Sequence, residues 1–339
     1  MNDVRLEELS NWSRQQSLPV PIPKESVLKP VSDDASFRRY FRYDPSAPGL
    51  IFVDAPPDQE DNPSFVKIAA ALAQAGLTCP QIFAADLERG YLVISDLGDQ
   101  LYQTVIEHHP EQIRGVYDEA VAALIPMFSV RCDIPEYSSS KLDEETALFA
   151  DWFVSQQLCV SLTEDQQYML RGVCDLMVKS AVDQPKGFVH RDYHCRNLLV
   201  QKAGGPGIID FQDAVMGPIT YDLVSLFKDC YYRFSRSEVE DRVQKFHGRL
   251  TEQGLVSANA PFLRWFDWMG IQRHLKCAGI FSRLNLRDSK PAYLGDIPLV
   301  VDYLIEASSL YDELGEFNAW LTQEIKPRMS DTEFSRDAG

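Results

Sequence analysis

Basic residues are scarce: 33 Lys and Arg stand against 50 Asp and Glu, a formal charge of −17 over 339 residues. A chain without clustered cations is poorly equipped to displace counterions from a nucleic-acid backbone. It is equally poorly matched to an anionic membrane surface. Long apolar runs are missing too, and no segment approaches the ~18 residues of a spanning helix. The opening residues, Met1 to Glu8, are acidic and carry no apolar stretch of the signal-peptide kind. Seven cysteines form no C-x-x-C pair, which argues against a zinc site or a disulfide framework and for reduced thiols. Repeats and low-complexity tracts are lacking. These absences describe a cytoplasmic chain with no nucleic-acid, membrane or obligate protein partner, leaving a small molecule as the partner to seek.

What is present is ordinary globular material, 45% hydrophobic and 24% charged, in a length that suits two domains. Leu6, Leu9 and Trp12 recur at helical spacing and predict an amphipathic opening helix over 4–16, ended by Pro19, Pro21 and Pro23. Phe37–Tyr43 and Leu50–Val53 read as antiparallel strands. A helix follows, with Asn62 as N-cap, Pro63 at its first position, and Phe65, Ile68, Ala69 and Leu72 on its buried face. Ile82-Phe83 and Tyr91–Ile94 return to strand texture. Beyond Gly98 the stripes are helical: Ile113, Val116, Tyr117, Ala120, Leu124; then Met169, Val173, Leu176, Met177; then Phe262, Trp265, Phe266, Met269. Asn197–Val200 and Gly207–Asp210 interrupt them as a hairpin around Gly204-Gly205. The expected class is α+β and bilobal. A small antiparallel-sheet lobe with one main helix spans 1–94, a hinge 95–98, and a larger, mostly helical lobe 99–339. Two lobes flanking a connector imply a cleft for a ligand.

One constellation carries chemistry. His190-Arg191-Asp192-Tyr193-His194-Cys195-Arg196-Asn197 matches the H-R-D-x-x-x-x-N loop of phosphoryl-transfer enzymes at every fixed position. Ile209-Asp210-Phe211 follows across the hairpin, with Gln212 where D-F-G has glycine. Phosphoryl transfer depends mainly on positioning and on neutralising charge. A carboxylate at the loop tip, Asp192, can orient an acceptor hydroxyl and take its proton. An amide oxygen five residues later, Asn197, and a carboxylate on the next strand, Asp210, suit Mg²⁺ bridging the phosphates of ATP, because that hard ion takes oxygen ligands and keeps some of its waters. His190 and His194 read as structural supports of the loop, with acid–base work as the alternative for each. Cys195 reads as a buried neighbour without chemistry.

Residues 190–214 resemble the aminoglycoside phosphotransferase superfamily, which shares the protein-kinase-like fold with choline kinases. That family's loop is typically His-Gly-Asp-x-His-x-x-Asn, and Arg191 replaces its glycine here. Gly217–Leu223 resembles the family segment whose Asp braces the loop, which implies a supporting role for Asp222. Asp34–Arg42, Asp54–Pro57, Ser95–Asp99 and Gln272–Lys276 further resemble the cell-wall-recycling sugar kinases of this superfamily. The implied activity is ATP-dependent phosphorylation of the anomeric hydroxyl of an N-acetylated amino sugar, N-acetylmuramate or N-acetylglucosamine. An aminoglycoside or other small-molecule kinase, or a nucleotide-binding pseudokinase scaffold, stays open as the alternative.

Several features depart from the kinase pattern. The phosphate-covering loop, Ser32–Ser36, holds no glycine, so the backbone of Ser36 and Phe37 is what can approach phosphate. Leu50–Asp54 holds no lysine, and Phe65–Ala75 holds no glutamate to pair with one. Arg38 or Arg39 is then the candidate phosphate cation; alternation puts them on opposite faces of their strand, so one alone should point inward. The connector residues Ser95, Asp96 and Leu97 are expected to hold adenine through backbone groups. For the acceptor, Asp213 follows the metal-binding strand, and Arg273 and His274 lie in a locally basic stretch. A bidentate guanidinium there would suit a substrate carboxylate, while a solvated helix face is the competing reading.

Overall fold

The computed structural model describes residues 3–31, 37–44, 48–329 and 334. The chain divides into two compact units, Met1–Ile134 with Cys195–Ala214, and Pro135–His194 with Val215–Gly339.

The first unit is built on a five-stranded sheet: β1 (Val27–Pro30), β2 (Arg39–Asp44), β3 (Leu50–Asp54), β4 (Ile82–Asp86) and β5 (Tyr91–Ser95). Their order is β1-β2-β3-β5-β4, every neighbouring pair antiparallel. The central strand β3, Leu-Ile-Phe-Val-Asp, is buried at every position, as a strand covered on both faces must be. One face packs on α1 (Val4–Ser13), where Leu9 and Trp12 meet Phe41, Tyr43, Phe52 and Tyr91. Alternation along β2 sends Phe41 and Tyr43 to this side, and Tyr40 and Arg42 to the other. The helix α2 (Asn62–Gln74) buries Phe65, Ile68, Ala69 and Leu72, the face expected from its spacing. Phe65, Ile68 and Leu72 each contribute about 1.5–3 kcal/mol.

The N-cap of α2 is Asp61, one residue earlier than expected, its carboxylate accepting the Ser64 N–H (3.0 Å). Asn62 is engaged elsewhere, donating to the Ala55 carbonyl at 2.7 Å from a fully buried site. β1 is a strand that the sequence pattern hides, because this edge position leaves most of Val-Leu-Lys-Pro exposed and without alternation. Gly90 turns the chain between β4 and β5 at φ +77°, and a Cβ there would lie 1.9 Å from the Ala55 carbonyl oxygen. α1 ends at Ser13, before its prolines.

The rest of this unit comprises α3 (Tyr102–His108), α4 (Ile113–Phe128) and the hairpin β7 (Leu198–Val200)–β8 (Pro206–Ile208). The hairpin is anchored by backbone bonds: Ile208 N–H donates to Thr78 O and Val200 N–H to Gln100 O, both at 2.8 Å. The stripe Ile113, Val116, Tyr117, Ala120 and Leu124 is buried as its periodicity implies.

In the second unit β6 (Lys186–Val189) pairs antiparallel with β9 (Val215–Pro218), a pairing between short segments far apart in the chain. Around it lie α5 (Ser139–Leu148), α6 (Glu164–Val182), α7 (Tyr221–Phe227), α8 (Arg236–Glu252), α9 (Phe262–Asp288) and α10 (Ile297–Ser308). On α6 the buried stripe is Leu170, Val173, Met177 and Ala181; Met169 and Leu176 flank it, half-buried. α9 is the axis of the unit, buried without interruption from Phe266 to Gly279, polar residues included. Gly279 permits the close approach of α5, since a Cβ would lie 2.4 Å from the Leu148 backbone.

Candidate active site

The first unit holds a cavity of about 610 Å³. Val31, Ile51, Ile94, Leu199 and Ile209 give it apolar walls, and Asn197 and Asp210 form a polar end. A volume within the ~300–1,000 Å³ of small-molecule pockets, with apolar walls for a flat ring and a few polar groups, suits a nucleotide. The β7–β8 hairpin builds the polar end. Asn197 and Asp210 flank its two strands, and the Asn197 amide donates to Asp210 Oδ2 (3.2 Å). Asp210 adopts φ +63°, a conformation Asp tolerates better than most residues. Gln212, in the place of the D-F-G glycine, donates to Asp210 Oδ1 at 2.8 Å. An amide oxygen and a carboxylate side by side are the donor set a hard divalent cation takes, with phosphate oxygens and water completing the shell.

The connector lines this cavity and is held from both sides. Ser95 N–H donates to Gln81 O (2.8 Å), Asp96 N–H to Gly49 O (2.9 Å), and the Leu97 carbonyl accepts from Gln201 Nε2 (2.9 Å). The Asp96 carboxylate takes a two-pronged bond from Arg42, Nε to Oδ2 at 2.7 Å and Nη2 to Oδ1 at 2.8 Å, and also caps Gly98 N–H. Asp99 takes the remaining Arg42 nitrogen at 2.7 Å. Arg42 is a cavity residue that the sequence reading passed over; its place beside Tyr40 on the alternating strand was the available signal.

Of the two candidate phosphate cations, Arg39 faces α1. It pairs with Asp3 and with the fully buried Asp54, which also receives Arg5 Nε at 2.8 Å. These carboxylates hold the Arg39 guanidinium firmly protonated, its bond with Asp3 first among them. Replacing Arg39 by Met should cost roughly 2 kcal/mol of stability, because Asp54 loses one of its two cations. Urea denaturation reads the loss, and ADP titration of the same variant should match the parent within about twofold. Arg38 lies on the opposite face, 2% exposed, its Nη2 3.1 Å from Glu60. Phe37 is 63% exposed. Ser36 and its loop lie outside the described residues.

In the second unit, the chain leaving β6 turns at His190-Arg191-Asp192. The buried Asp222 of α7 accepts two backbone bonds, from His190 N–H (2.7 Å) and Arg191 N–H (3.0 Å). Asp192 N–H is directed at His190 Nδ1, 3.3 Å away inside the turn. His194 packs edge-on against the Tyr231 ring. Arg191 sits at φ +77°, the conformation that explains why glycine is usual at this position. A non-glycine residue there costs roughly 1–2 kcal/mol. Its side chain offsets the strain: Nη2 reaches Glu145 Oε1 at 2.5 Å, and the guanidinium lies over the Tyr137 ring, 5.4 Å from the centroid.

Glu145 joins a buried polar network. It accepts from the Tyr137 hydroxyl and lies 3.8 Å from Lys276 Nζ, which in turn donates to Tyr221 OH at 3.1 Å. Burial alone would push the Asp192 carboxyl up, but the charges of Lys276, His194, Arg273 and His190 outweigh it and hold it below the ordinary 3.8. Lys276 and Arg273 stand three apart on α9, on one helical face. Glu145 carried no signal in the sequence, and Lys276 was visible only as part of Gln272–Lys276.

The three expected acceptor residues fall in both units. Arg273 is buried beside Cys277, Nη1 to Sγ 3.6 Å, with its Nε unbonded. Asp213 is exposed in the first unit. His274 is a packing residue: it donates from Nε2 to Lys228 O (2.8 Å) and stacks on Tyr303, and burial pushes its pKa down to about 3. One ring nitrogen and one ring face are thus engaged within the packing of the second unit, and the residue is 2% exposed.

The profile of a family described as "Phosphotransferase enzyme family" matches residues 27–257. A protein of Pseudomonas aeruginosa named N-acetylmuramate/N-acetylglucosamine kinase is 41% identical over 331 residues, spanning 94% of this chain and 97% of its own. A protein of the same name from Neisseria meningitidis is 36% identical over 335 residues, spanning 97% and 98%. Among solved structures, the ADP-bound aminoglycoside phosphotransferase APH(2'')-Ib superposes with a TM-score of 0.59 at 13% identity, over 90% of this chain and 99% of that one. That last likeness is one of fold.

Proposed function

Because the chain belongs to the phosphotransferase enzyme family, we propose that it phosphorylates the anomeric hydroxyl of an N-acetylated amino sugar, N-acetylmuramate or N-acetylglucosamine, with ATP. The observation that carries this reading is the match of whole chains: relatives at 36–41% identity, spanning at least 94% of this sequence, are named for those two sugars. The place of such a reaction is the recycling of peptidoglycan sugars. Among the described residues no helix is long and apolar enough to cross a membrane, which agrees with a small-molecule kinase working in the cytoplasm.

In this reading residues 1–94 cover the nucleotide, 95–98 form the hinge, and 99–339 carry the catalytic loop and the acceptor pocket. The base lies between the apolar walls of the cavity and meets backbone groups of Ser95–Leu97. Asn197 and Asp210 would hold Mg²⁺, which would supply positive charge against the phosphates when bound. Asp192 accepts the proton of the sugar hydroxyl as its oxygen bonds to the γ-phosphorus. The bond from that phosphorus to the bridging oxygen breaks, ADP leaves, and Asp192 returns the proton to solvent. An ionised carboxylate is needed for this, and the cations around Asp192 keep it so. His190, His194 and Asp222 hold the loop in shape.

The experiment is a panel of N-acetylmuramate, N-acetylglucosamine, choline and an aminoglycoside, each with ATP and Mg²⁺. ADP release gives the rate, and phosphorus NMR locates the new ester. ADP release with the two N-acetylated sugars and a phosphate on the anomeric oxygen supports the reading; turnover only with another acceptor, or with none, overturns it.

A further inference from the structure

The sheet of the first unit has a cation missing from one place and a buried cation in the neighbouring one. β3 carries no lysine, the residue kinases place on their third strand to meet the phosphates, and Val53, two residues from the cavity residue Ile51 on the same face, is fully buried. Tyr40 is its register partner, so the two side chains share a sheet face. Arg38 is two residues from Tyr40 and shares that face by alternation, which makes it the diagonal neighbour of Val53. The same face carries Tyr40, Arg42 and Ile51 into the cavity.

Arg38 is also held as a functional cation is held. Glu60, 14% exposed in the turn ahead of α2, pairs with it at 3.1 Å. The guanidinium lies over the Phe65 ring, 4.7 Å from the centroid. Phe65 itself lines the cavity and stacks on Phe211, centroids 5.0 Å apart and planes at 22°. Phe211 follows Asp210 in the chain, so one aromatic contact joins the guanidinium to the residue next to the cavity's carboxylate. The other arginines near the cavity are arranged differently: Arg42 is held by Asp96 and Asp99, and Arg196 is exposed with its Nε on Gln103.

We propose that Arg38 is the cation that meets the nucleotide phosphates in this protein, and that Glu60 and Phe65 are the residues that position it. The inference rests on the kinase reading above and deepens it. The strand-to-helix ion pair of kinases is rebuilt here from adjacent parts, the cation on β2 and the carboxylate on the turn before the helix. A guanidinium suits the move, since its fork can serve a carboxylate and a phosphate at once, and its plane can stack on an aromatic ring. Glu60 acts through Arg38, fixing its direction, and makes no contact with the nucleotide.

The test is calorimetric titration of the full chain with ADP in Mg²⁺ and, separately, with adenosine. Arg38→Met should weaken ADP by about 10- to 100-fold, the size of one charge-assisted contact, while adenosine affinity stays within about threefold. Glu60→Gln should weaken ADP by roughly 3- to 10-fold, and the double variant should be no weaker than Arg38→Met alone, because the carboxylate has nothing left to position. Arg38→Lys should recover part of the loss. The inference is overturned if Arg38→Met binds ADP within twofold of the parent, if ADP and adenosine fall by the same factor, or if the two losses multiply. A parent protein that neither binds ADP nor releases it from ATP with any acceptor would instead discard the kinase reading itself.

Discussion

Asp192→Asn should lower kcat by about three to four orders of magnitude, with ADP affinity within a fewfold of the parent. Asparagine keeps the shape and still accepts a hydrogen bond, but it cannot take a proton, and general-base assistance is worth about 10²–10⁴ in rate. The upper end is expected because loss of charge also weakens the hold on the acceptor hydroxyl. Burial opposes ionisation of the parental carboxyl, but the surrounding charges, Lys276 first, outweigh it and draw the group below its ordinary range. An amide has no proton to lose, so the deficit of the variant should not be recovered at high pH. Nucleotide binding should survive, since every lining residue of the large cavity belongs to the other unit. Steady-state rates with ATP and the preferred sugar, beside an ADP titration, give both numbers. Turnover within tenfold of the parent would remove Asp192 from the role of base.

Asp222→Asn should give two pH signatures of opposite direction. Burial is the main influence on this carboxyl and raises it to about 6, against the backbone bonds from His190 and Arg191 and the charge of His190, which favour the ionised form. A carboxyl raised in the fold from 3.8 binds a proton more tightly folded than unfolded. Its contribution to stability is therefore greatest below pH 4 and declines as the pH rises to about 6, on the order of 3 kcal/mol in all. His274 runs the other way: held down to about 3, it withdraws stability as the pH falls below 6.5. The two oppose each other in the parent. The variant lacks the first, so its unfolding free energy relative to the parent should rise by on the order of 3 kcal/mol between pH 4 and 6.5. The catalytic signature is the reverse. The ionised carboxylate accepts the two loop N–H groups most strongly, so parental kcat should climb with pH through about 6. In the variant kcat should be lower and flat there. Urea denaturation at several pH values and a pH–rate profile measure the two. A variant–parent stability difference independent of pH would show that Asp222 does not titrate as described.

How much of this was legible before the fold was known follows from the range of each interaction. Asp192, Asn197 and Asp210 are recognisable because phosphoryl transfer asks for particular groups at particular spacings within one loop and hairpin. The buried faces of α2 and α4 are equally legible, because helical periodicity is local. Glu145, Glu60 and Lys276 are not: each gains its meaning from a partner 46, 22 or 55 positions away, as in Arg191–Glu145, Arg38–Glu60 and Lys276–Tyr221. β1 escaped notice because an exposed edge strand needs no apolar alternation, and β6–β9 because each strand is only four residues long.

The arginine pair shows where the two kinds of information divide. Alternation along a strand dictates that Arg38 and Arg39 point to opposite faces, and that much is settled by backbone geometry alone. Which of the two is committed to structure depends on what covers each face. α1 brings Asp3 and Arg5 to one side, where Asp54 is already buried, and Arg39 is drawn into that network. Glu60 and Phe65 reach the other side and hold Arg38. The reaction class is legible in the chain alone, because the residues that carry it are spaced closely enough to be set by one loop and its hairpin. Which carboxylate each arginine meets is set by the packing of distant segments, because an ion pair forms only where packing brings the opposite charge and keeps water away.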